Sequence, residues 1–342
     1  MSKKLENSDF IRPLINIKTP RVGIISTLWN FEIVEKLKNE CFKKLLEYNI
    51  YPTIELTVPG SYEIPIACQK IISKVDVIIT LGCLIQGETP HMDLIASTVS
   101  QKIADISLTN NIPIIFGVLV VENIQQAVNR IPLASGYVES ALLMTTLNAQ
   151  TVLNQKIKIS QEIIKNIFKK YKNVALSFSG GKDSTIVLDL LYKSGNLKNT
   201  EIIFFSEEEK EFDEIYQVIQ KIEKYYDIKI QKISANSGDT VIKYFENSKI
   251  EAIFLGQRVG DPNLHNSESW SDVIYVNPII EWNYHEVWYY ILKNGIPYCD
   301  LYNRGYTSLG LKSNSIPNPE LGGLPAWYLK DNSLERAGSQ KN

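Results

Sequence analysis

Ser177-Phe178-Ser179-Gly180-Gly181-Lys182-Asp183-Ser184-Thr185 is the stretch of this chain best equipped for chemistry. Adjacent glycines let a backbone approach an anion closely and turn successive N–H groups toward it. Lys182 adds a point charge. The stretch follows the apolar run Val174-Ala175-Leu176 and opens a helical pattern whose apolar residues are Ile186, Val187, Leu190 and Leu191. Strand, glycine turn and helix start form the context in which such a loop cradles phosphate, the helix N-terminus adding partial positive charge. An ordinary glycine turn is the plainer alternative, and the loop's length and context favour phosphate over it. The loop is not a Walker A sequence, because position 176 holds leucine and Asp183 directly follows the lysine. The anion-binding set is therefore Ser179, Gly180, Gly181, Lys182, Asp183 and Ser184.

A second set lies in the first half of the chain. Val58-Pro59-Gly60-Ser61-Tyr62-Glu63-Ile64-Pro65 and Gly82-Cys83-Leu84-Ile85-Gln86-Gly87-Glu88-Thr89-Pro90-His91 each follow a strand-like run. In an open α/β sheet that is where ligands bind. The imidazole of His91 is a side chain suited to proton transfer. A satisfied loop histidine is the usual state of a lone His, but its place in Gly-x-Thr-x-His after a strand favours the chemical role.

The elements that must position these residues alternate. Arg21–Ser26, Tyr51–Thr57, Val75–Leu81 and Ile112–Val120 read as strands. Asn30–Tyr48, Glu63–Ile72, Leu94–Leu108, Ile124–Arg130 and Val138–Leu147 read as helices. Apolar strands alternating with helices predict a parallel sheet covered on both faces. Residues 1–20 are polar and read as a loose arm.

The two loops, with Leu28-Trp29-Asn30, Ile115-Phe116-Gly117 and Glu122–Arg130, resemble lumazine synthase over about Arg21 to Leu147. The resemblance implies condensation of 5-amino-6-ribitylaminouracil with 3,4-dihydroxy-2-butanone 4-phosphate, without metal or cofactor. It puts the phosphate on the backbone of Gly87, Glu88 and Thr89 with Arg130 as countercharge, and makes His91 the proton shuttle. Trp29 and Phe116 would sandwich the pyrimidine, beside Asn30, and Ser61, Tyr62 and Glu63 would face the ribityl chain. The family's site is shared between neighbouring subunits of a homopentamer. One departure stands out: Ile-Pro-Leu-Ala-Ser-Gly-Tyr-Val follows Arg130, without the lysine of the family's Asn-Lys-Gly loop. Reduced activity, or a scaffold role for this half, is the alternative that follows.

Asn148–Tyr171 carries a composition shift and reads as a short linker plus the first helix of a second domain. Its lysines suit a solvated helix face better than a binding patch. After the phosphate loop come strands at Thr200–Phe205, Ile228–Ile233 and Ala252–Gly256, with helices at Phe212–Tyr226 and Thr240–Asn247. The acidic run Glu207–Glu211 reads as a helix start rather than a metal site. Trp282 and Trp288 read as core residues in preference to flavin-stacking ones.

Ser-Gly-Gly-Lys-Asp-Ser resembles the PP-loop of enzymes that cut ATP between its α and β phosphates. Leu255–Pro262, Asn277–Trp282 and Ile296–Gly310 occur in similar form in phosphoadenylylsulfate reductases and in eukaryotic-type FAD synthetases. The tail, with Pro317-Asn318-Pro319-Glu320-Leu321, Pro325-Ala326-Trp327-Tyr328-Leu329 and Glu335-Arg336-Ala337-Gly338, is similar to FAD synthetase. That likeness implies AMP transfer from ATP to FMN, with Mg²⁺ on the polyphosphate and Asp183 and Asp261 near metal or nucleotide. It implies FMN or FAD contacts at Arg258, Asp261, Tyr306, Thr307, Ser308 and Arg336. Ser339 stands where the family's second arginine belongs. A reductase needs a catalytic cysteine near its end, and Cys299 is the one candidate.

Composition bounds the rest. The 342 residues, 44% hydrophobic and 22% charged with net charge −2, are enough for two domains and supply no basic field for nucleic acid. Four scattered cysteines without metal-ligand spacing, and no signal-like or membrane-spanning run, predict a reduced, cytoplasmic protein. The expectation is thus two doubly wound α/β domains. Residues 1–150 form a flavodoxin-like lumazine synthase layer, and residues 151–342 an adenine nucleotide α-hydrolase-like PP-loop domain.

Overall fold

A computed structural model describes residues 12–16, 19–207, 209–235, 238–261 and 273–339. The chain forms two compact units, one of residues 18–148 and one made by the N-terminal segment together with residues 149–342.

The front unit is built on β1 (Val22–Thr27), β2 (Ile54–Val58), β3 (Val77–Ile85) and β4 (Ile114–Val121). All pairings are parallel and the strand order is β2-β1-β3-β4. Parallel pairing requires crossovers, and these are helical: α1 (Phe31–Glu47), α2 (Ile64–Ile71) and α3 (His91–Asn110), while α4 (Ile124–Arg130) and α5 (Ala134–Thr145) follow the last strand. Ile64 and Cys68 of α2 and Val99 and Ile103 of α3 bury one sheet face against Ile25 and Ile78. The opposite face carries α1 and α5. Strand order reverses between β1 and β3, so a crevice opens beyond their C-terminal ends.

The rear unit begins with α6 (Leu147–Lys170) and continues through β5 (Val174–Ser177), α7 (Lys182–Lys193), β6 (Thr200–Ser206), α8 (Asp213–Tyr226) and β7 (Gln231–Ser234). α9 (Gly238–Glu246), β8 (Ala252–Phe254), β9 (Ile274–Val276) and α10 (Tyr284–Asn294) follow. Its parallel sheet runs β7-β6-β5-β8-β9, with the reversal between β5 and β8. Nine of the eleven residues of α10 are buried, so this helix lies in the core rather than on it. Asn283 caps it by accepting from the Glu286 N–H at 2.9 Å, and the Glu286 carboxylate accepts from the Asn283 N–H at 2.7 Å. Trp282 and Trp288 are 3% and 0% exposed, core residues as expected.

Three expectations change. Residues 12–16 form a helical turn, not a loose arm, with Leu14 and Ile15 each 3% exposed. Asn16 Nδ2 donates to the Leu329 carbonyl at 3.2 Å, and the Arg12 guanidinium lies 4.1 Å from the Tyr328 ring centroid, so the turn belongs to the rear unit. No linker interrupts α6, and position 150 falls inside that helix. The acidic run is not a helix start: α8 begins only at Asp213, and Lys210 N–H donates to the Glu207 carbonyl in a preceding turn. Glu208 of that run lies outside the described residues.

Candidate functional site

The front crevice holds a cavity of about 420 Å³ lined by Trp29, Gly60, Ser61, Tyr62, Glu63, Leu84, Ile85, Gly87, Thr89, His91, Met92 and Ile95. Seven of the residues expected there from the sequence therefore converge. The two strand-exit loops are tied together: Leu28 N–H donates to Val58 O at 2.8 Å and Trp29 N–H to Pro59 O at 3.1 Å. This backbone pinning leaves the Trp29 ring 72% exposed at the cavity mouth. Glu63 Oε2 accepts from the Gly60 N–H at 2.8 Å and stiffens the turn carrying Ser61 and Tyr62. His91 is the first residue of α3 and follows Pro90, whose fixed φ suits a helix start.

Four expected residues lie elsewhere. Asn30 does not face the cavity; it is left-handed at φ 58° and its Nδ2 donates to the Cys83 carbonyl at 2.8 Å, joining α1 to β3. Glu88 is an exposed neighbour of the lining. Phe116 is 37% exposed on β4, and Arg130 closes α4, its Nη1 donating to the Gln126 carbonyl at 3.0 Å. Met92 and Ile95 add apolar lining that no motif marks, and Leu84 and Ile85, which the sequence places in the loop, line the cavity as the last residues of β3. The stretch after Arg130 is not a loop: a 3₁₀ turn at Ile131–Leu133 leads straight into α5. Val138, where a family lysine would be sought, is 0% exposed.

In the rear unit the glycine loop joins β5 to α7, and it lies at the reversal of strand order. Gly180 holds φ 72°, a left-handed turn that favours glycine. Ser184 Oγ lies 3.1 Å from Ser179 Oγ, and the Thr185 hydroxyl donates to the Gly181 carbonyl at 2.8 Å. The Lys182 N–H donates to the Tyr302 hydroxyl at 3.0 Å. Beyond β8, across the reversal point, come Gly256 and Arg258.

The charged side chains form one network. Lys182 Nζ, 3% exposed, donates to Asp183 Oδ2 at 2.9 Å and Glu335 Oε1 at 2.6 Å. Arg258 Nε stands 2.8 Å from Asp183 Oδ1, while its Nη2 donates to both Glu335 oxygens, at 2.6 and 2.8 Å. Asp261 Oδ2 accepts from the Arg258 N–H at 2.8 Å, and its Oδ1 pairs with Arg336 Nη2 at 3.0 Å. Burial pushes the Asp183 carboxyl up, but Arg258 and then Lys182 outweigh it and hold it below its usual range. Burial opposes the Lys182 charge, yet Asp183 and Glu335 hold its pKa above the ordinary lysine value.

Of the residues expected at the flavin, Arg258 is buried in this network and Arg336 is half-exposed at its edge. Thr307 is 1% exposed; its hydroxyl donates to the Glu335 carbonyl at 2.5 Å and accepts from Asn318 Nδ2 at 2.9 Å, so it braces the tail. Tyr306 packs edge-on against Phe212, and Ser308 is half-buried beside it. Ser339, in the place of the family arginine, bridges Ser315. Glu335 and Tyr302 were given no role from the sequence, although Glu335 stands in the quoted Glu-Arg-Ala-Gly stretch. Asp183 and Asp261 offer the hard oxygen donors that Mg²⁺ takes, and Mg²⁺ usually binds one or two carboxylates together with substrate phosphates. Among the described residues no group of three or more His, Cys, Asp or Glu side chains could hold a metal by itself.

Two parallel α/β sheets, each gathering its polar candidates where strand order reverses, define a chain of two α/β units, the rear one of PP-loop class. By sequence the chain belongs to the lumazine synthase family through its front unit and to the FAD synthase family through its rear unit. The family model for 6,7-dimethyl-8-ribityllumazine synthase matches residues 19–149, and that for the phosphoadenosine phosphosulfate reductase domain matches 173–254 and 239–317. A 6,7-dimethyl-8-ribityllumazine synthase of Limosilactobacillus reuteri is 33% identical over 42% of this chain and 94% of its own length. A probable FAD synthase of Schizosaccharomyces pombe is 34% identical over 54% of this chain and 79% of its own length. The crystal structure of Candida glabrata FMN adenylyltransferase in complex with FMN and the ATP analog AMPCPP is 22% identical over 55% of this chain and 90% of that chain, with a TM-score of 0.46. No described helix is long and apolar enough to cross a membrane.

Proposed function

We propose that this chain carries two activities of flavin biosynthesis. The rear unit transfers AMP from ATP to FMN, giving FAD and pyrophosphate. The front unit condenses 5-amino-6-ribitylaminouracil with 3,4-dihydroxy-2-butanone 4-phosphate to 6,7-dimethyl-8-ribityllumazine.

The observation that carries the rear assignment is the meeting of three segments distant in sequence. Lys182 of the loop reaches Glu335 across 153 residues, and Arg258 reaches the same carboxylate across 77. An FMN phosphate oxygen attacks the α phosphorus of ATP, the bond to the β phosphate breaks, and pyrophosphate leaves. The chain's part is to place the polyphosphate on the loop N–H groups, Lys182 and Arg258, and to keep charge balanced as it shifts. Asp183 and Asp261 would hold Mg²⁺, which lowers the charge of the polyphosphate when bound. Arg336, Tyr306 and Ser308 are the residues proposed to face the flavin. A sulfonucleotide reductase would need the Cys299 thiolate, but that thiol is 0% exposed and burial pushes it up to about 11. Incubating the full chain with FMN and Mg-ATP and separating the flavins by HPLC tests the reading; adenylylsulfate turnover without FAD would refute it.

In the front unit, Gly87–Thr89 and Arg130 are proposed to hold the phosphate and His91 to move the proton. Arg130 and Phe116 lie outside the cavity of their own subunit, which supports a site completed by a neighbour in a homopentamer. Only Val99 and Ile103 are buried among the twenty residues of α3, leaving a long face for such a neighbour. His91→Ala should slow lumazine formation by about 10²–10⁴-fold, and Arg130→Ala by about tenfold to a hundredfold, from a charge-assisted contact of about 1.5–3 kcal/mol. Co-expressed, the two variants should regain activity in mixed oligomers; no recovery would place both residues in one subunit's site. The second reading, an inactive scaffold, is favoured by the missing lysine after Arg130 and requires wild type to form no lumazine above background. A cytoplasmic location is proposed on four free, buried cysteines.

A further inference from the structure

FMN adenylylation as proposed assigns nothing to Glu335, yet this carboxylate touches both buried cations of the rear site. Oε1 accepts from Lys182 Nζ and from Arg258 Nη2, each at 2.6 Å, and Oε2 accepts from Arg258 Nη2 at 2.8 Å. Its side chain is 13% exposed, too enclosed to be an ordinary surface ion pair. The backbone that carries it is fixed as well. Thr307 donates to the Glu335 carbonyl, Asn318 Nδ2 donates to the Leu334 carbonyl at 2.8 Å, and the Ile316 N–H donates to the Gly338 carbonyl at 2.9 Å.

A lysine ammonium is a compact charge on a flexible four-carbon stem. Between Asp183 on one side and Glu335 on the other, that stem has a single place to put its charge. Arg258, gripped by the same two carboxylates, is set at a fixed distance from it.

We propose that Glu335 is a positioning residue for nucleotide transfer, holding Lys182 and Arg258 as one preset pair so that the polyphosphate meets cations already in place. The proposal rests on the FAD-forming reading of the rear unit. It has a kinetic signature. Lys182 and Arg258 are balanced by Asp183 and Glu335, so neutralising Glu335 leaves one positive charge in excess. ATP is then attracted no less strongly, but to cations out of position. Turnover suffers while apparent affinity does not, the reverse of what losing a substrate contact does.

The test uses the full chain with Glu335→Gln and Glu335→Asp. Glu335→Gln should lower kcat for FAD formation by about 10²-fold, the scale of a small misplacement, with KM for ATP unchanged or lower. Glu335→Asp, which keeps the charge, should recover part of the loss. A kcat within twofold of wild type, or a raised KM with kcat intact, overturns the proposal. Acetylation of the ATP-free protein by an amine-reactive ester, followed by mass spectrometry, gives a readout apart from turnover. Lys182 should label faster in Glu335→Gln, while exposed Lys102 stays unchanged; equal labelling of Lys182 overturns the proposal. If Glu335→Gln does not fold, Glu335→Asp decides by the same readouts, and no change in either refutes it. Wild type that makes no FAD would sink the assigned activity, while the labelling result still decides whether Glu335 holds Lys182.

Discussion

Gly256 lies directly against Ser184: a Cβ on Gly256 would stand 2.5 Å from the Ser184 nitrogen and 2.7 Å from the Asp183 carbonyl carbon. The exit of β8 thus touches the first turn of α7, and the obstructing atoms are backbone, which cannot step aside. Gly256→Ala should cost about 1–3 kcal/mol and reduce FAD formation at least about tenfold by displacing the loop. Thermal melting and flavin HPLC on the same preparation check both; an unshifted melting point would mean the contact is looser than described.

Asp183 and Lys182 should differ in what their removal does. Asp183→Ala leaves Lys182 and Arg258 buried with Glu335 alone, and breaking such a buried pair costs about 3–5 kcal/mol. It should nearly abolish FAD formation and lower the melting temperature. Lys182→Ala leaves Asp183 and Glu335 facing Arg258 alone, so it should also lower the melting temperature, but it keeps the proposed metal-binding carboxylate and should weaken activity less. Equal activity losses with no change in melting of Asp183→Ala would contradict the network.

His285 predicts a pH dependence. Its Nε2 lies 2.9 Å from the Leu329 carbonyl, which can only accept, so Nε2 carries hydrogen. Burial lowers its pKa from 6.5, partly offset by the Leu329 carbonyl, Glu335 and Asp331. The folded state therefore binds the second proton less well than the unfolded chain does. Its contribution to stability is complete above pH 6.5 and is lost as pH falls through the lower folded value. Wild type should lose melting temperature between pH 7.5 and 5, and His285→Gln should lose less over the same interval. Parallel curves for the two proteins would exclude His285 as the source.

Deleting residues 1–17 should destabilise the rear unit, although that unit's other residues begin at 149. Leu14 and Ile15 are buried there, each worth about 1.5–3 kcal/mol. Differential scanning calorimetry of the truncated chain should show the FAD-forming transition moved down. An unmoved transition would make the helical turn dispensable.

Much of this arrangement could be read from residue order alone, because strong local signals carry it. Val174–Leu176 and the paired glycines define the strand, glycine turn and helix start of the rear site, and buried apolar runs mark β1, β3 and β4. The lining Ser61, Tyr62, Glu63, Gly87, Thr89 and His91 follow from motifs next to strand ends. What was not legible depends on partners far along the chain. Glu335 becomes a site residue only because the tail folds back to Thr307 and Asn318. Residues 12–16 look like an arm because five residues carry no helical period until Trp327 and Leu329 are present. β9 is three residues long, too short for alternation to show. Val138 looks available for a lysine in the sequence, but α5 turns it into the core, so Val138→Lys would bury a charge rather than restore a contact.

The bond from Asn16 to the Trp327 carbonyl spans 311 residues. On a ribosome the first partner is made long before the second: at about 5–20 residues per second, roughly 15–60 s pass between them. The front sheet can close during that interval, since every strand it pairs is complete by Val121. The N-terminal turn must meanwhile wait with Leu14 and Ile15 uncovered. Late closure over so long a loop makes the last step of folding slow and leaves the uncovered apolar surface open to aggregation until it is made. Slowing translation between residues 149 and 327 should therefore lower the soluble yield without changing any contact in the finished protein.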